Sequence, residues 1–136
     1  MLSNIYSFSG RLGRLAYFGF SILGTIIAGI PLTIGLIAIV KGRQDSDMVL
    51  LVVGITLATL GLVLLYWSII SLAVKRLHDL DLSGIHAAWI IFGPSLLAAI
   101  LRTSAPGLEF VAGLLSLGLS LWLVFAPGTE GRNMFG

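Results

Sequence analysis

The sequence has no cysteine, which removes disulfides, thiolate metal sites and cysteine nucleophiles at once. It is also short of charge. Lysine and arginine number eight and aspartate and glutamate six, so 10% of the 136 residues are charged, where a water-soluble domain carries roughly a quarter. Proline occurs four times, and the chain has no internal repeat, heptad or low-complexity tract. What it has in quantity is apolar residue, 57% of the total, with a mean hydropathy of +1.06. A chain this short makes one domain at most. Its composition excludes a soluble enzyme, a disordered chain and a nucleic-acid binder, since the pI of about 9.4 reflects only eight bases against six acids.

The few charges leave four long uncharged stretches: Leu15 to Val40, Met48 to Val74, Leu82 to Leu101 with one histidine, and Phe110 to Thr129. At 1.5 Å per residue each approaches or exceeds the roughly 30 Å of a bilayer's hydrocarbon core. The reading is an all-α fold, an integral membrane four-helix bundle of up-down topology forming a single transmembrane domain over 1–136, with spans at about 15–40, 48–74, 82–101 and 110–126. The first stretch is too long for a signal-peptide core and no small-residue cleavage site closes it, so it stays as a span. Pro31 falls inside it and deprives the Ile27 carbonyl of a partner. Gly93 and Pro94 interrupt the third span, and Pro127 ends the fourth. Gly24 with Ala28, Gly54 with Ala58, and Ala112 with Ser116 and Ser120 put small side chains on single faces, where helix backbones approach closely.

Lysine and arginine in the short connecting segments set the orientation. Arg11, Arg14, Lys75, Arg76 and Arg132 fall on one side, and Lys41, Arg43 and Arg102 on the other. That bias puts both termini in the cytoplasm. The interfacial aromatics Tyr6, Tyr17, Tyr66, Trp67, Trp89 and Trp122 gather at the termini-side ends as well, together with His78 and His86. Ordinary belts decorate both interfaces, so this side is the more elaborated one.

Three polar strings meet there: FSGRLGRLAYF at 8–18, KRLHDLDLSG at 75–84 and PGTEGRNMFG at 127–136. The Gly10-Arg11 opening with Arg14 and Tyr17, the Arg76-Leu77-His78-Asp79 string followed by Ser83 and Gly84, and the close through Pro127, Gly128, Gly131, Asn133, Phe135 and Gly136 resemble the small bacterial inner-membrane family catalogued as domain of unknown function 805. The resemblance covers essentially the whole chain and implies an integral inner-membrane protein with no established activity. The chain departs from the family pattern at Lys75, at Leu80 and Asp81, and at Ile85 and His86, the last two standing where tryptophans are frequent.

Chemically, Lys75, Arg76 and His78 suit a helix C-terminus, where cations complement the macrodipole, and Asp81 or Ser83 suits the cap of the third helix. Arg76 pairs with Asp79 in this reading while Arg11 or Arg14 reaches the same cluster, where a carboxylate shared between arginines fastens loops firmly. His78, Asp79, Asp81 and His86 match no metal-ligand spacing, and Ser83, His78 and Asp79 lie too close in one loop for a relay. No catalytic residue, metal or other cofactor is expected. Ser9 onward reads as an interfacial amphipathic turn, with Phe8, Leu12, Leu15 and Phe18 on one face.

Arginine outnumbers lysine on the termini side, which suits bidentate contact with phosphate. The candidate site is therefore Arg11, Arg14, Arg76, His78, Asp79, Arg132 and Asn133. It is either a structural polar cluster or a site for an anionic phospholipid between Arg11, Arg14 and Arg76, with Arg132 as a fourth donor. The expected partners are membrane lipids, a second copy of the chain or a larger membrane complex, and no nucleic acid. The leading functional class is a non-enzymatic accessory, scaffold, lipid-binding or partner-binding module acting through its cytoplasmic face. A small oligomeric transporter or channel is the alternative, and an interfacial lipid-modifying enzyme a third. Against transport, no Asp, Glu, Lys or Arg falls inside a span, where such groups mark pathways.

Overall fold

The computed structural model describes residues 5–135. They form four α-helices, α1 (Arg14–Gln44), α2 (Met48–Asp79), α3 (His86–Ser104) and α4 (Glu109–Phe125), and no strand occurs among the described residues. α1, α2 and α3 are long and apolar enough to cross a membrane, and α4 is a shorter apolar helix of 17 residues. In the most apolar window of each long helix no more than 22% is buried against protein. The remainder faces outward, with Leu15, Val49 and Trp89 each more than 70% exposed. Such a surface is stable in lipid and not in water, so the chain is a multi-pass membrane protein in its make-up.

The helices do not stop where the apolar residues stop. α1 continues through Lys41 and Arg43 to Gln44, and α2 through Lys75, Arg76 and His78 to Asp79. Basic residues in a last turn face the negative end of the macrodipole and favour this continuation. α3 begins at His86, later than the uncharged stretch, because Asp81 adopts a left-handed φ of 59°. The chain then turns through Ser83, Gly84 and Ile85. The expected side-chain cap is missing. Ile85 stands at the N-cap without one, and the Ser83 hydroxyl only meets the Ile85 amide at 3.5 Å. Pro31 and Pro94 lie inside α1 and α3.

The chain divides into two compact units. The first holds Gly19–Ile69 with Ile5 and Tyr6. Its packing rests on glycines at which a Cβ would strike the other helix: Gly42 against Leu51, Gly54 against Ile39, Gly35 against Ala58 and Gly54, and Gly61 against Leu32. These contacts pair off in opposite sequence order, so the two segments run antiparallel with backbones almost touching. Asp45, Ser46 and Asp47 make the turn, Ser46 at φ 54°, and the Asp47 carboxylate accepts the Leu50 amide at 3.0 Å as the cap of α2. Gly24 and Ala28 are buried, with Ser68 closest to Gly24. The Trp67 indole donates to the Tyr6 carbonyl at 2.9 Å.

The second unit holds Ser7–Phe18 and Ile70 onward. Its buried core is Ala73, Leu77, Ala87 and Leu123, flanked by Tyr17, Val74, Leu80 and Ile90. α3 packs on α4. Of the three small residues expected on one face of α4, Ala112 is buried, whereas Ser116 and Ser120 face outward. Residues 7–13 are not helical. The amphipathic turn expected from Ser9 is replaced by an irregular strap, because the Leu12 amide bonds to the Lys75 carbonyl at 3.1 Å and not within a turn of its own.

Candidate functional site

The second unit is organised around one arginine. Arg76, in the last turn of α2, is fully buried, a position an arginine takes only when its donors are satisfied. Nε donates to the Leu123 carbonyl at 2.7 Å, and Nη1 to the Leu12 carbonyl at 3.3 Å. Nη1 also donates to the Asp79 carboxylate, and Nη2 to the Ala126 carbonyl. Leu123 and Ala126 lie at the end of α4, where the last carbonyls have no partner within the helix. The guanidinium's fixed fork of donors is suited to several converging acceptors of this kind. Arg76 thereby serves as the C-cap of a helix that ends 49 positions later in the chain.

The same neighbourhood ties down both polar strings. Leu12 is held twice, its amide by Lys75 and its carbonyl by Arg76. Its side chain is buried. Gly10, at φ 90°, turns its carbonyl to His78 Nδ1 at 3.3 Å. From the other terminus, Thr129 closes the end of α2: its amide and its hydroxyl both donate to the Asp79 carbonyl, at 2.8 and 2.9 Å. Asn133 Nδ2 donates to the His78 carbonyl at 2.8 Å and to the Thr129 hydroxyl at 2.9 Å. Asn133 Oδ1 accepts the Phe135 amide at 3.0 Å. The Phe135 ring then stacks on His78, centroids 4.0 Å apart and planes 5° from parallel. Arg11 Nη1 completes the join by donating to the Gly131 carbonyl at 2.8 Å and, more weakly, to the Thr129 hydroxyl.

Of the seven candidate residues, Arg11, Arg76, His78, Asp79 and Asn133 are thus brought into one hydrogen-bonded assembly. Arg14 and Arg132 are exposed, and neither has a hydrogen bond or ion pair among the described residues. The carboxylate shared between two arginines is not formed. Asp79 takes Arg76, while Arg11 is directed to the C-terminal string and Arg14 opens α1. With every nitrogen of Arg76 committed to protein acceptors, its role in the assembly is internal.

Arg14 lies close enough to Arg76 to repel it electrostatically. It also lines an open groove with Leu15, Phe18, Val124 and Phe125, about 320 Å³ in volume. Among the described residues no group of three or more His, Asp and Glu side chains gathers as metal ligands would. His78 is stacked on Phe135, and His86 Nδ1 turns to the Ser83 carbonyl at 2.8 Å.

Three residues outside the seven candidates also take part. Gly128 has no space for a side chain, because a Cβ there would overlap the Asp79 carboxylate and lie 2.8 Å from its Cγ. Thr129 carries three of the assembly's bonds through one hydroxyl. Lys75 is buried beside Arg76, where an interfacial cation was expected. The adjacent Gly128 and Thr129, directly after the helix-stopping Pro127, were the available signal for the first two.

The chain belongs to the family described as "Protein of unknown function (DUF805)", whose model matches residues 5–136. The match takes in all three polar strings. Neither the comparison with curated proteins nor that with solved structures gives a match.

Proposed function

We propose that this chain is a non-enzymatic, multi-pass protein of the bacterial inner membrane that presents a pre-organised polar face to the cytoplasm for binding lipid or a partner. Its four helices form a single transmembrane domain that runs up and down across the bilayer, with both termini in the cytoplasm. The observation that carries the reading is the assembly built on Arg76. Groups that a catalytic or transport site would keep available are spent on fastening backbone: Arg76 on three carbonyls and Asp79, His78 on Phe135 and Asn133 on the end of α2. A site so tied is rigid, and rigidity lowers the entropic cost of binding at a surface. The outward apolar surface supports residence in the bilayer, and the five-to-three bias of basic residues supports the orientation.

Reporter fusions test the placement. An alkaline phosphatase fused after Ser46 is active, and a fluorescent protein fused after Gly136 is fluorescent, because the two positions lie on opposite sides. Finding both reporters on the same side overturns the four-crossing arrangement.

A further inference from the structure

The groove beside Arg14 joins an arginine to apolar walls; a hollow on α1 lined by Leu36, Ile37, Val40 and Lys41 has a lysine in the corresponding role, without the forked donors of a guanidinium. Leu15 and Phe18 form one wall, one turn apart on α1, and Val124 and Phe125 form the other. Leu15, Phe18 and Phe125 are 84%, 51% and 68% exposed. Arg14 lines the same groove and has no carboxylate partner among the described residues. A second arginine-lined hollow, between α3 and α4, differs in this respect, since Arg102 shares it with Glu109. The hollow on α3 lined by Trp89, Phe92 and Leu96 has no charge at all.

Charge near Arg14 does not cancel. The nearest carboxylate in the fastened assembly, Asp79, is neutralised by Arg76, and Arg76 repels Arg14. The groove therefore combines one uncompensated positive charge with apolar walls. An exposed arginine at the membrane surface extends its charge toward the headgroups while its stem stays on apolar surface.

We propose that this groove holds one anionic phospholipid, its phosphate on Arg14 and an acyl chain along Leu15, Phe18, Val124 and Phe125. The inference rests on the inner-membrane placement above and names the ligand of that face. It moves the phosphate contact away from Arg76, whose donors are occupied, to the arginine that the fold leaves free. The uncompensated charge of Arg14 favours an anionic headgroup over one that carries its own cation, and its two parallel donors to phosphate, which a lysine does not offer, make a guanidinium necessary for full retention.

Native mass spectrometry of the full chain, released from nanodiscs of equal phosphatidylglycerol and phosphatidylcholine, tests this. The wild type retains one phosphatidylglycerol in preference to phosphatidylcholine. Arg14→Gln lowers that retention roughly tenfold, the equivalent of one charge-assisted contact, with no fall in melting temperature. Arg14→Lys restores part of it, and Arg132→Gln changes nothing. Phe18→Ala with Phe125→Ala also lowers retention, because the acyl contact is lost while the charge stays. Added inorganic phosphate does not displace the lipid.

Equal retention of the two lipids, unchanged retention in Arg14→Gln, displacement by inorganic phosphate, or a dimer whose contact covers the groove without lipid would each overturn the proposal. Any of these, with the Ser46 and Gly136 fusions on opposite sides, rejects the site and leaves the membrane placement standing.

Discussion

Arg76 Nε donates to the carbonyl of Leu123 at 2.7 Å, joining the last turn of α2 to the last turn of α4 across 47 positions of sequence. A local cap would satisfy only its own helix. This arginine satisfies the end of α4 and the strap before α1 together, and its own charge is balanced three residues on by Asp79. The arrangement makes the ends of three segments interdependent. Removing one side chain leaves several buried acceptors without donors, and a buried unpaired group costs more than its bond was worth.

Gly128 is the small residue on which the fastening of Asp79 depends. Gly128→Ala drives a methyl into a carboxylate that Arg76 holds in place, and overpacking of that kind costs about 1–3 kcal/mol. Gly118→Ala is the matched control: it has open space around it and lies within α4, where alanine is the better helix former. Thermal unfolding in detergent shows a lowered midpoint for the first and an unchanged or raised one for the second.

Thr129→Val keeps the shape and the backbone bond to Asp79 but removes the hydroxyl that Arg11, Asn133 and the Asp79 carbonyl share. The expected loss is about 1–3 kcal/mol. Limited proteolysis shows faster cleavage after Pro127 in this variant, and in Asn133→Ala, than in the wild type.

In the first unit, Gly35→Ala and Gly61→Ala place a methyl on the backbone of the opposing segment, within 2.8 Å of Ala58 Cα and 2.7 Å of Leu32 Cα respectively. Backbone cannot rotate aside as a side chain can, so the helices must separate. Both variants melt below the wild type in detergent, whereas Gly29→Ala, with nothing near it, does not.

The helices were legible because lipid imposes length and apolarity on each span, and a run such as Met48 to Val74 admits no other reading. Their ends were less so. Apolarity says where a helix leaves the hydrocarbon and not where its hydrogen bonds stop; the cations Lys75, Arg76 and His78, which suit a helix C-terminus, are what point to α2 continuing past Val74, and its last turn does hold Arg76 and His78. The convergence of the three polar strings is what an up-down reading of the apolar stretches predicts, and the Arg76 and Asp79 pair is what their spacing of three predicts. Which carbonyls Arg76 would take did not follow. Acceptors such as Leu12, Leu123 and Ala126 offer only main chain, and their side chains say nothing of it. Thr129 was hidden for the related reason that a threonine after a helix stop is usual in any turn.

Arg76 and Asp79 act as one fastening, and a double-mutant cycle measured by thermal unfolding in detergent is the sharpest check of that coupling. Arg76→Ala leaves three carbonyls and a carboxylate unpaired and is expected to cost about 3–5 kcal/mol. Asp79→Asn is expected to cost less, because Arg76 keeps its carbonyl acceptors. The double variant is expected to cost less than the sum of the two, since neither change can remove the shared contact a second time. Strict additivity of the two losses, or an Arg76→Ala protein as stable as the wild type, would contradict it.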